Sequence, residues 1–137
     1  MADISITPAN VIASSAANVQ RGVAGGTLTA GMPVYLDSAD GKYKAADANG
    51  TGDMTNVKGI ALHGAAAGQP IAFATEDPDF APGATVAAGA VLIVSATPGG
   101  IAPAADAATG MFTTVVGVGK GSNKIALKLV AAGVAAP

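Results

Sequence analysis

The chain has 137 residues, half of them apolar and only 12% charged, with a net charge of −2, no cysteine and a single histidine. That length suits one domain with a sizeable core. Without cysteine there is no disulfide framework, thiolate metal site or thiol nucleophile, and six scattered lysines make no basic stripe for a nucleic-acid backbone.

The apolar mass is mostly Ala and Val, and Tyr35, Tyr43, Phe73, Phe80 and Phe112 are the only aromatics. So neutral a surface predicts assembly with other subunits. The first residues carry no basic region followed by an apolar run, and no signal peptide is expected. No apolar run free of charge, Gly and Pro approaches 18 residues, so no membrane partner is expected and the protein is placed in the cytoplasm or on something assembled there.

Residues 1–22 read as an extended N-terminal arm. Residues 3–7 (DISIT) alternate as a short strand does, Pro8 interrupts them, and residues 10–20 are small and polar with no helix-period face. Residues 23–137 read as a single β domain containing two similar units, about 23–75 and 84–130. In the first, strands are predicted at 32–36, 42–46, 57–62 and 70–75, with 38–41 (SADG) as a turn in which Asp40-Gly41 supplies the positive-φ residues of a two-residue hairpin turn. In the second, 90–95, 112–118 and 124–130 are strands, 98–100 is a turn, and 104–109 (AADAAT) can hold one helical turn.

The two units share a pattern at a constant offset. Residues 27–36 (TLTAGMPVYL) recur as 85–94 (TVAAGAVLIV), 58 positions later, and the same offset carries Gly41 to Gly99, Tyr43 to Ile101 and Gly59 to Gly117. After a shorter loop, 125–129 (IALKL) takes the place of 71–75 (IAFAT). Between the units, 76–83 (EDPDFAPG) is the strongest punctuation and reads as a loop. Four strands alone are marginal, so the fold class expected is all-β, one compact sandwich or barrel-like body built from two fused four-stranded units.

Each motif that touches on chemistry has a plainer reading. Residues 117–122 (GVGKGS) superficially match a phosphate loop, but Thr114 holds the first-glycine position, Gly121 follows Lys120, and a strand follows the loop, so a hairpin is expected. Asp37 and Asp40 precede Gly41 as in a calcium loop, but without the third ligand or the closing Glu, so they read as a surface turn. Glu76, Asp77 and Asp79 gather three carboxylates, which read as a solvated acidic turn with cation or partner contact as the sharper alternative. His63, the only histidine, has neither a second histidine for a metal nor a Gly-x-Ser-x-Gly elbow for a triad, and is expected to cap or flank a strand end. No enzyme activity and no cofactor follow from this inventory.

The run 27–44 (TLTAGMPVYLDSADGKYK), then 57–72 (VKGIALHGAAAGQPIA) and 97–103 (TPGGIAP), resembles the small head decoration, or capsid cement, proteins of tailed bacteriophages. The resemblance spans about residues 22–129. It implies an all-β protein without catalysis that binds the outer surface of an assembled phage head through the major capsid protein. It also implies a homo-oligomer, a trimer favoured over a dimer, with an extended arm reaching adjacent capsid subunits. The capsid contact is expected where the repeat stops: Ile4, Ile6, Val11 and Ile12 in the arm, and Glu76, Asp77, Asp79 and Phe80 between the units. The alternatives are a head-fibre or tail-associated protein that binds host glycans, disfavoured by two Tyr and no Trp, and a bacterial self-assembling shell protein; a hydrolase lacks its nucleophile–base pair.

Overall fold

The computed structural model describes residues 3–135, which form ten strands and three single 3-10 turns at Pro8–Asn10, Gly52–Thr55 and Ala104–Asp106. The strands are β1 (Val11–Ile12), β2 (Asn18–Val23), β3 (Pro33–Asp37), β4 (Lys42–Ala45), β5 (Val57–Ala61), β6 (Pro70–Pro82), β7 (Val91–Val94), β8 (Ile101–Pro103), β9 (Phe112–Gly121) and β10 (Lys124–Ala135). The fold is all-β: one curled antiparallel sheet in the order β4-β3-β5-β6-β10-β9-β7-β8, with β1 and β2 also paired to β6. Each half of that order holds one repeat unit, and the halves join at β6 and β10.

The repeat extends to individual hydrogen bonds. Val34 pairs with Gly59 and Tyr35 with Val57; 58 residues on, Leu92 pairs with Gly117 and Ile93 with Val115, so both units carry the same bulge. Gly31 N–H bonds the Ala61 carbonyl at 2.8 Å, and Gly89 N–H bonds the Gly119 carbonyl at 2.8 Å. These two glycines, at φ 93° and 83°, turn the chain into β3 and β7 in a conformation that a side chain penalises. Beyond β5 and its counterpart β9 the offset changes. Ala61 pairs with Phe73 while Gly119 pairs with Ile125, so Phe73, and not Ile71, is the counterpart of Ile125.

Two cores result. Within the first unit, β2 runs along β6, and the chain then reaches β4 through an Ala24–Tyr43 bridge, closing the curl around Leu28, Val34, Ile71 and Phe73. The Tyr43 and Phe73 rings stack at a tilt with centroids 4.6 Å apart. The larger core takes Tyr35, Ile60 and Phe80 from the first half and Leu92, Ile101, Val116 and Ile125 from the second, which makes the body a single domain. Hydrogen bonds from Ala48 N–H to the Ser95 carbonyl and from Phe112 N–H to the Ala48 carbonyl tie the units together at the other side.

Three expectations are corrected. The β3–β4 turn spans 38–41 as expected, since Asp37 pairs with Lys42, but of Asp40-Gly41 only Gly41 takes a positive φ, so the pair is not a two-residue turn. Residues 76–82 are not a loop but the second half of β6, where Glu76 pairs with both Asn18 and Lys128 and Phe80 pairs with Ile125. Pro78 is accommodated because the β6–β10 register slips there, at a bulge that needs no ladder N–H. Residues 3–22 are extended but do not form a free arm. Ile4 N–H bonds the Ile101 carbonyl and Thr7 N–H the Gly83 carbonyl, both at 2.8 Å, and β1 and β2 pair with β6. The reason is apolar: Ile4 and Ile6 pack on the larger core, and Val11 lies inside it.

Candidate interaction surface

The two segments where the repeat stops meet in space. β1 pairs Val11 with Pro82 and Ile12 with Ala81, and Ser14 N–H donates to Asp77 Oδ2 at 2.7 Å. Most of the residues singled out there are, however, spent on the body itself. Phe80 is wholly buried, Val11 is buried, and Ile4 and Ile6 are half-buried against the core. Asp77 is also wholly buried, and its Oδ1 takes the Ser14 hydroxyl and the Asp79 N–H. Asp79 is half-buried between two lysines, 3.5 Å from Lys120 Nζ and 3.6 Å from Lys124 Nζ. Ile12, 62% exposed, and Glu76 face outward, and Ile4, Ile6 and Asp79 keep part of their surface.

The remaining chemical candidates are absorbed by the fold. Asp37 and Asp40 both turn onto Lys44, whose Nζ lies 2.6 Å from Asp37 Oδ2 and 3.1 Å from Asp40 Oδ2. The Lys44 hydrogen bond, helped by the Ala39 N–H, holds Asp37 below the ordinary carboxylate value, and the Lys42 N–H followed by Lys44 does the same for Asp40. The two carboxylates raise Lys44 in turn, the hydrogen bond from Asp37 most. Replacing Lys44 by Met is therefore expected to move both carboxyl titrations upward toward 3.8 by NMR. An ion pair at the surface, even half-buried as here, contributes little to stability, so the melting temperature is expected to stay nearly unchanged.

His63 joins the ends of two segments. Its Nε2 accepts the Ala72 N–H at 3.0 Å while Nδ1 lies 2.9 Å from the Gly64 carbonyl, which fixes the tautomer with the proton on Nδ1. The glycine-rich run 117–122 lies in the β9–β10 hairpin, whose tip residues Ser122 and Asn123 take φ of 55° and 58°.

An outward apolar stripe was not foreseen. Val91 pairs with Val118 and Val118 with Ala126, all three exposed, and Ala126 borders a groove of about 370 Å³ with Pro78 and Ala16. Exposed Glu76 and Lys128, partners in the β6–β10 ladder, stand at the same groove. Past Lys128, β10 is paired to β9 alone and presents Val130 and Val134, 55% and 67% exposed. The repeat argues against finding Val118 here, since its counterpart Ile60 is wholly buried. A repeated sequence fixes strand pairing, but which face a neighbour covers depends on segments outside the repeat, and β2 has no counterpart in the second unit.

Comparison of the chain with known protein families and with curated protein sequences gives no match.

Proposed function

We propose that this protein is a structural protein of a bacteriophage virion, a decoration or cement protein that binds the major capsid protein on the outside of the assembled head. The observation that carries the reading is a β body that turns apolar side chains outward on several strands: Ile12, Val91, Val118, Val130 and Val134. Scattered single apolar residues are ordinary on a surface; Val91, Val118 and Ala126 instead form a row across β7, β9 and β10, which supports a surface that is covered in use. The resemblance of residues 27–44, 57–72 and 97–103 to cement proteins supports the same reading. Cement acts by binding the assembled shell and not its free subunits, so it stabilises the shell by mass action, and modest contacts suffice when they are multiplied over the particle. The resemblance implies a homo-oligomer, a trimer before a dimer, and a surface with so few charges suits assembly in general.

One feature favours the glycan-binding alternative. A cleft of about 320 Å³ is lined by Ser5, Thr7, Asn10, Thr85, Ser122 and Asn123, hydroxyls and amides that suit a neutral polar ligand. Purified protein mixed with expanded phage heads separates the two. A cement protein binds the heads and raises the temperature at which they disrupt, whereas binding to glycans and not to heads overturns the capsid reading.

A further inference from the structure

We propose that residues 3–17 are a strap released by acid: two serine–carboxylate latches, Asp3 with Ser95 and Ser14 with Asp77, fasten it over a bed of glycines. Three body glycines are shaped to its path. A Cβ on Gly83 would stand 2.7 Å from the Thr7 carbonyl oxygen and 2.9 Å from Val11 Cγ2, one on Gly31 would meet Ile6 Cγ2 at 2.7 Å, and one on Gly100 would meet the Asp3 carboxyl. At one end, the Ser95 hydroxyl donates to Asp3 Oδ1 at 2.5 Å. At the other, Asp77 takes both the N–H and the hydroxyl of Ser14. Between the latches, the backbone bonds to the body are those of Ile4 and Thr7 and the two-residue β1 ladder, and the rest of the hold is the packing of Ile4, Ile6 and Val11, so each lost latch is a sizeable share of what fastens the strap.

Asp77 is the latch that acid opens. It is wholly buried and its described hydrogen-bond partners are all neutral donors, so a proton placed on it meets Ser14 donors that it can no longer fully accept. Burial pushes Asp77 up, but the Ser14 hydroxyl and N–H and the Asp79 N–H together outweigh it and hold the carboxyl below 3.8, with a small pull from Lys120. A depressed folded value means that the latch is complete above 3.8 and is lost as the pH falls through that depressed value. Glu76 and Asp79 flank it on β6, while Lys120 on β9 and Lys124 and Lys128 on β10 lie beside them, and Lys120 favours the charged form of Asp77. Residues 4–20 bring no charge of their own, and Arg21 pairs with Ala72, farther along β6.

The amide protons of Ile4, Thr7 and Ser14 report directly, because each is bonded to the body. Protection factors, corrected for the intrinsic exchange rate, are to be measured by NMR on the full chain from pH 6 to 2.5. Between 3.8 and pH 2.5 these three amides are expected to lose on the order of tenfold in protection while those of β5 and β9 keep theirs. Asp77→Asn, which cannot be charged, is expected to show the same selective loss at pH 6. The proposal is overturned if the three amides stay protected to pH 2.5 in the unaltered protein, or if they open only together with β5 and β9. The unaltered chain decides the matter even if Asp77→Asn does not fold.

Discussion

Alanine at Gly117 is expected to remove about 2–3 kcal/mol of stability, and alanine at Gly59 a similar amount. These glycines are repeat counterparts, each next to the extra residue of a β-bulge in its own strand, Lys58 in β5 and Val116 in β9. A Cβ on Gly59 would stand 2.7 Å from the Ala74 carbonyl oxygen and would also strike the Phe73 ring; one on Gly117 would strike the Ala126 carbonyl, with its carbon at 3.1 Å. The obstacle in both is backbone of a paired strand, which has no rotamer to escape into. Thermal unfolding followed by circular dichroism is expected to show a fall of roughly 5–12 °C for each variant. Gly26 serves as control, since a Cβ there meets nothing within 4 Å, and Gly26→Ala is expected to leave the transition in place. A fall no larger for Gly117→Ala than for Gly26→Ala would contradict the packing described.

Phe80→Ala is expected to cost about 3–5 kcal/mol, because an aromatic ring with no exposure leaves a cavity that the surrounding β strands cannot close. Ile12→Ala, at 62% exposure, is expected to change stability by less than about 0.5 kcal/mol. The two separate folding from binding. If the protein coats phage heads through the surface that carries Ile12, Ile12→Ala lowers head occupancy at an unchanged melting temperature. Phe80→Ala instead loses occupancy only in step with its own unfolding. Chemical denaturation and sedimentation with heads measure both quantities on the same preparations.

What the sequence made legible was what repeats. The offset of 58, read from Gly31/Gly89 and Gly59/Gly117, recurs in strand register and in single hydrogen bonds, because a glycine required by a turn or a close approach leaves its mark on the local sequence. Long-range pairing left weaker marks. Glu76, Asp77, Pro78 and Asp79 are residues that strands avoid, yet they continue β6 because Ser14 satisfies the buried carboxylate and a bulge accepts the proline. Neither compensation is local: Ser14 lies 63 residues away in sequence. The same holds for Ile4, Ile6 and Val11, whose spacing suggests an arm and whose burial is decided by a core made mostly of later residues. The outward stripe was harder still, since Val91 and Val118 differ from buried valines such as Val34 and Val116 only in what lies over them.

The position of β6 has a consequence for how the protein is made. Its first half finds β2 and β5 among residues already synthesised, so the closed curl around Phe73 can form as soon as β6 leaves the ribosome. Its second half, from Glu76 to Phe80, must wait for β10, the last strand of the described chain. Through that interval Phe80 and the Asp77–Phe80 edge lack their partner strand, and an unpaired strand edge on a half-finished chain invites a neighbouring nascent chain. The acidic residues and prolines that disguise this stretch as a loop also keep it from pairing with the wrong strand until β10 arrives.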